Sequence, residues 1–136
     1  MNTGPVSRSS LRILVVDDQS SIRRIVQSQL VSIGFTNIVQ AANAKEAVEK
    51  LHTTTFSLII SDWHMPEMSG FELLQYVRSN VLHDQTPFIL LTNEADRENV
   101  IRAAQLGITS YLTKPFTTEV LEKRVLQAIF SSKVRK

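Results

Sequence analysis

The sequence predicts an α/β fold built on a five-stranded, doubly wound parallel sheet, (βα)5 in chain order. Three observations carry that prediction. Short apolar runs alternate five times with stretches of helical period between Leu11 and Phe130. The runs lack the polar alternation of a half-solvated sheet, so they read as strands buried on both faces, with helices on each side. The chain has 136 residues, enough for one core but too few for the eight units of a closed barrel. Right-handed crossovers then favour the open, doubly wound sheet.

The first strand is RILVV, residues 12–16. SSIRRIVQSQLVSIG (20–34) follows as a helix with Ile22, Ile25, Val26, Leu30 and Ile33 on one face. Ser20 or Ser21 can cap its first turn, and Gly34 stops it. NIVQAA (37–42) is a weaker second strand, and AKEAVEKLHT (44–53) aligns Ala44, Ala47, Val48 and Leu51 on a helical face. FSLIIS (56–61) is a nearly unbroken apolar strand, and GFELLQYVRSN (70–80) a helix buried through Phe71, Leu74 and Val77. PFILLT (87–92) is the fourth strand, and EADRENVIRAAQLG (94–107) a helix ended by Gly107. ITSYLT (108–113) is the fifth strand. TTEVLEKRVLQAIF (117–130) is the last helix, with Leu121, Val125, Ala128 and Ile129 facing inward.

One domain is expected over residues 11–131. A polar, Ser-rich lead-in at 1–10, broken by Gly4 and Pro5, is expected to be disordered, and residues 132–136 form a basic tail. No output domain is expected beyond the fifth helix. The chain has no cysteine, which excludes a disulfide framework and thiolate metal sites and fits a reducing compartment. No apolar run approaches the ~20 residues that span a membrane, and the N-terminus lacks the apolar core of a secretory signal. A cytoplasmic protein without membrane contact is expected. The net charge of +2 and the scattered basic residues give no reason to expect nucleic acid. His52 and His83 read as surface residues.

Ligands of an open parallel sheet bind beyond the carboxyl ends of its strands. There the boundaries above place Asp17 and Asp18 (first strand), Asp62 (third), Thr92 (fourth) and Lys114 (fifth). Two like charges ~4 Å apart repel by about 4 kcal/mol at an effective dielectric of 20. Such a cluster calls for a counter-ion or a raised pKa. Hard oxygen ligands at an open site suit Mg²⁺, bound through one or two carboxylates and a phosphate. Lys114 would add positive charge and Thr92 a hydrogen bond to the same phosphoryl group. A carboxylate can itself accept a phosphoryl group. Asp62, central in the row, is the candidate, while Asp17 and Asp18 share the metal.

The motifs VVDD, SDWHMPEMSG, LLTNEA and YLTKPF resemble, in residue and spacing, the receiver domain of two-component response regulators, over Arg12 to about Phe130. The DW.MP.M.G and GF.N elements are most similar to the stand-alone chemotaxis regulators. Those regulators are themselves a standard instance of the flavodoxin-like strand order 2-1-3-4-5, so that order follows from the resemblance.

The resemblance implies that Asp62 is phosphorylated, that Asp18 is a direct Mg²⁺ ligand, and that Asp17 assists through water. It implies that His64 offers its backbone carbonyl to the metal and that Thr92 and Tyr111 form a switch pair. Lys114 would bind the phosphoryl group, and its bond to Pro115 is expected to be cis. A partner surface around Ala103, Gln105, Tyr111 and Lys123 is implied as well. So is a monomer partnered by a sensor histidine kinase of chemotaxis type. The implied output is a flagellar motor switch protein or another output protein, with a phosphatase as a further partner. A phosphorelay role, or the gating of another enzyme, is the alternative.

Two other classes fit less well. A phosphohydrolase with a nucleophilic aspartate would want a second acid two residues on, where His64 stands. A flavin module would want a neutral, hydroxyl-rich loop after the first strand, where VDDQSS places two anions.

Overall fold

Five strands, β1 (Arg12–Val16), β2 (Asn37–Ala41), β3 (Leu58–Asp62), β4 (Phe88–Thr92) and β5 (Ser110–Thr113), lie parallel in the order β2-β1-β3-β4-β5. This computed structural model describes residues 7–93 and 97–131. Helices α1 (Ser20–Ser32), α2 (Ala44–Thr53), α3 (Gly70–Ser79), α4 (Arg97–Leu106) and α5 (Thr118–Ser131) follow the strands in turn. Fold class and strand order are those expected.

The two-residue period of the strands divides the core into two layers. Leu14, Val16, Ile59, Phe88 and Leu90 face α2, α3 and α4, where they meet Ala47, Leu51, Leu74, Val77 and Ala103. Ile13, Val15, Leu58, Ile60, Ile89 and Leu91 face α1 and α5, against Val26, Leu30, Leu121, Val125 and Ala128. The central strands β3 and β4 are buried throughout, whereas the edge strand β2 is mostly half-buried. Among the described residues no helix is long and apolar enough to cross a membrane.

Several local expectations are corrected. Strand β3 runs one residue further, taking in Asp62 itself. Strand β5 starts at Ser110, because the Ile108 N–H closes α4 on the Ala103 carbonyl. The cap of α1 is Gln19 without a side-chain bond, not a serine. Asp17 Oδ1 takes the Gln19 N–H at 2.9 Å, so the turn into α1 is organised by the aspartate. Ile25 is 51% exposed at the rim of the α1 stripe, beside a groove lined by Lys114, Pro115 and Phe116.

His83 is 2% exposed, since its Nε2 reaches the Leu51 carbonyl at the end of α2 at 2.8 Å. Residues 7–10, assigned above to a disordered lead-in, contain a 3-10 turn, Arg8–Ser10. Arg8 Nη1 ties it down, donating to the Ile33 carbonyl at 2.6 Å and to Glu122 Oε2 at 2.8 Å. The guanidinium also sits 5.2 Å from the Phe35 ring. The rest of the lead-in, the tail at 132–136 and the start of the predicted fourth helix (94–96) lie outside the described residues.

Candidate functional site

Sheet register assembles the site. Val16 pairs with Ser61, so the next residues, Asp17 just past β1 and Asp62 at the end of β3, stand side by side. Three backbone bonds carry the ladder past the strand ends: Asp17 N–H to Ala41 O at 3.2 Å, Trp63 N–H to Leu91 O at 3.0 Å, and Lys114 N–H to Thr92 O at 2.8 Å. The Lys114–Pro115 peptide is cis, as expected. Lys114 Nζ reaches across β4 and donates to Asp62 Oδ1 at 2.7 Å.

Asp17, Asp18 and Asp62 each present a carboxylate oxygen, and these oxygens all lie within 4.8 Å of one another. Asp17 and Asp62 are buried, and Asp18 is exposed. Burial, above all, raises the Asp17 pKa from 3.8 to about 6. The Gln19 N–H pulls it down, Asp62 pushes it up, Lys114 opposes that push, and Asp18 adds to it. Asp17 Oδ2 is buried with no hydrogen-bond partner. An orphaned anionic oxygen inside a three-carboxylate cluster is a donor set that a hard divalent cation satisfies. The residues therefore fit Mg²⁺.

In the metal-free protein the folded state holds the Asp17 proton up to about pH 6, whereas the unfolded chain releases it near 3.8. Stability is therefore lost as pH rises through that window. A cation must displace the same proton, so apparent Mg²⁺ affinity should fall by about tenfold per pH unit below pH 6. Titrations followed by Trp63 emission between pH 5 and 7.5 check this, and a pH-independent affinity counts against it.

The loop after β3 returns to the site at once. Its Glu67 adopts a left-handed φ of 71°. The Gly70 N–H donates to the Trp63 carbonyl at 2.8 Å. Ser69 and Glu72 form a reciprocal capping box that starts α3 there. A Cβ on Gly70 would lie 2.2 Å from the Asp62 carbonyl oxygen, so the helix can approach the strand end only with glycine. Sequence reasoning did not single out Gly70 for this. The available signal was a glycine directly following a helix-capping serine.

Thr92 is buried, and its hydroxyl donates to the Asn93 carbonyl at 3.1 Å. Tyr111 is 41% exposed, with the Arg124 guanidinium 6.0 Å from its ring. Gln105 and Lys123 are exposed, and so is the His64 side chain. Ala103, assigned above to the partner surface, is fully buried against the core; its position on α4 points at the sheet, so it is withdrawn from that surface.

Residues 13–126 match the response regulator receiver domain. The chain belongs to that family. It is 40% identical over 115 residues to the chemotaxis protein CheY of Pseudomonas aeruginosa, covering 85% of this chain and 93% of that one. It is 38% identical over 116 residues to the chemotaxis protein CheY1 of Helicobacter pylori, covering 85% and 94%. The solved structure of the chemotaxis response regulator CheY4 of Vibrio cholerae aligns at a TM-score of 0.80 and 36% identity, over 87% of this receiver and 98% of that protein. The receiver domain of a sensor histidine kinase from Pseudomonas aeruginosa aligns at 0.79 and 27% identity, over 88% and 97%. That structure holds a magnesium ion coordinated in the active-site cleft.

Proposed function

We propose that this receiver is a phosphorylation-operated signalling switch that takes a phosphoryl group from a phosphohistidine of a sensor histidine kinase onto Asp62. The observation that carries the reading is Lys114 Nζ on Asp62 Oδ1 at 2.7 Å, beside the Asp17–Asp18–Asp62 cluster. Asp17, Asp18, Asp62 and the His64 backbone carbonyl would hold Mg²⁺. Bound there, the ion would offset the carboxylate charge and the charge on the phosphoryl oxygens.

A carboxylate oxygen of Asp62 attacks phosphorus, the P–N bond to the donor imidazole breaks, and the imidazole leaves with the bonding electrons. Lys114 keeps Asp62 oriented beforehand and pairs with a phosphoryl oxygen afterwards. The Thr92 hydroxyl, now on the Asn93 carbonyl, turns to the phosphoryl group, and the half-exposed Tyr111 ring follows it inward. Gln105, Tyr111 and Lys123 then form the altered surface that an output protein reads. A bias of a few kcal/mol between the two conformations moves most of the population.

Likeness to chemotaxis proteins from two organisms supports a chemotaxis kinase as donor, a flagellar motor switch protein as output, and a cytoplasmic setting. The test is incubation with a small acyl phosphate and Mg²⁺, followed by intact mass. One hydroxylamine-labile phosphoryl group per chain is expected, and none without Mg²⁺. An unmodified chain would defeat the reading. Lys114→Ala should still be labelled, more slowly, yet fail to bind the output partner. Full partner binding by that variant would remove the lysine from the switch.

A further inference from the structure

We propose that Phe71 and Arg102 are positioning residues that tie the end of β3 to helix α4 through a stack of two rings and one cation. Trp63 directly follows Asp62, and its ring stacks on Phe71 with centroids 5.5 Å apart and planes at 26°. The Arg102 guanidinium carbon lies 4.7 Å from the centroid of the same Phe71 ring. That distance is within cation–π range, and the rings are within stacking range.

Both ends of the stack are anchored. The Trp63 N–H is bound to the Leu91 carbonyl and its own carbonyl to the Gly70 N–H. A displacement of the Asp62 backbone therefore carries the indole with it. Phe71 follows Gly70 on the first turn of α3, which the Ser69–Glu72 capping box holds. On the far side, Arg102 is exposed while its neighbour Ala103 is sunk in the core, so the guanidinium lies over the seam between α3 and α4. Arg78 Nε donates to the Gly107 carbonyl at 2.9 Å, just past the end of α4. Both arginines thus join α3 to α4, and the Arg102 contact leads through Phe71 and Trp63 to the acidic cluster. Stacking and cation–π contacts are short-ranged, so a shift at Trp63 either moves α4 or breaks the contact.

This tie rests on the reading of Asp62 as phosphoacceptor and adds the route by which its state reaches α4. The test uses the full chain as wild type, Arg102→Ala, Arg102→Lys, Phe71→Leu and the Arg102→Ala/Phe71→Leu double variant. Without ligand, Arg102→Ala should speed amide exchange over residues 101–106 by about two- to fivefold, the factor equivalent to one exposed cation–π contact. It should also shift Trp63 emission. Arg102→Lys should restore both, and the double variant should exchange no faster than Phe71→Leu alone. Wild-type exchange in Arg102→Ala, or additive effects in the double variant, would overturn the tie.

Beryllofluoride with Mg²⁺, a phosphoryl mimic, should then alter α4 exchange in the wild type. The change should be at least halved in Arg102→Ala at equal occupancy, and equal changes in the two proteins would overturn the route. A wild-type Trp63 that ignores the mimic would instead count against the reading of Asp62, leaving the ligand-free comparison to decide the tie.

Discussion

Asp62→Asn should incorporate no phosphoryl group from any donor while keeping close to the wild-type melting temperature. The amide is isosteric and can still accept the Lys114 bond that Asp62 Oδ1 accepts at 2.7 Å. It has no carboxylate oxygen to attack phosphorus. Two electrostatic changes oppose each other. Lys114 loses its ion pair, and Asp17 loses a repulsion that helps to raise its pKa. At an effective dielectric of 20 the ion pair at 2.7 Å is worth roughly 6 kcal/mol, and the repulsion at up to 4.8 Å roughly 3 kcal/mol with the opposite sign. The amide also escapes the several kcal/mol that burying a carboxylate costs. The net effect on stability should be within about 1 kcal/mol. Intact mass and thermal melting of the same preparation separate the two readouts. Retained hydroxylamine-labile label would move the acceptor to Asp17 or Asp18. A collapse in melting temperature would show instead that the pair with Lys114 dominates.

The layout of this site was legible in the sequence because strand ends are legible. An apolar run that stops at a carboxylate marks both the strand and the residue placed beyond it. Four strand ends, two of them at carboxylates, put Asp17, Asp18, Asp62, Thr92 and Lys114 on one edge of a parallel sheet. The strand order was not legible from the residues, since nothing in RILVV or FSLIIS says which strand it neighbours. It came from likeness to known receivers.

Residues whose role depends on a distant backbone group escaped. His83 sits in a polar loop, and its burial is set by a carbonyl 32 positions away. Arg8 looked like part of a loose lead-in, yet the Ile33 carbonyl and Glu122, 114 residues distant, satisfy its guanidinium. Ala103 and Arg102 are adjacent on one helix, and only the packed structure shows which faces the core and which lies against an aromatic ring. Composition assigns such residues to loops or solvated faces, because it records the residue and not its partner.

The same blindness hid Gly70, and a second large effect follows from it. Gly70→Ala should lower stability by about 3 kcal/mol, near the upper end for overpacking. That corresponds to a melting temperature lower by roughly 10 °C in a domain of this size. The new Cβ would stand 2.2 Å from the Asp62 carbonyl oxygen and 3.1 Å from Leu90 Cδ2. Neither neighbour yields easily. The Asp62 carbonyl accepts the Ser61 hydroxyl at 2.9 Å, and Leu90 is fully buried. Relief requires α3 to draw back from β3, which breaks the Gly70–Trp63 bond and loosens the end of β3 that carries Asp62. Mg²⁺ affinity should therefore fall together with stability, although Gly70 carries no side chain to ligate anything. Melting curves with and without Mg²⁺ check both at once. If the alanine variant matched the wild type in melting temperature and in Mg²⁺ response, the close approach of α3 would not be what holds Asp62 in place.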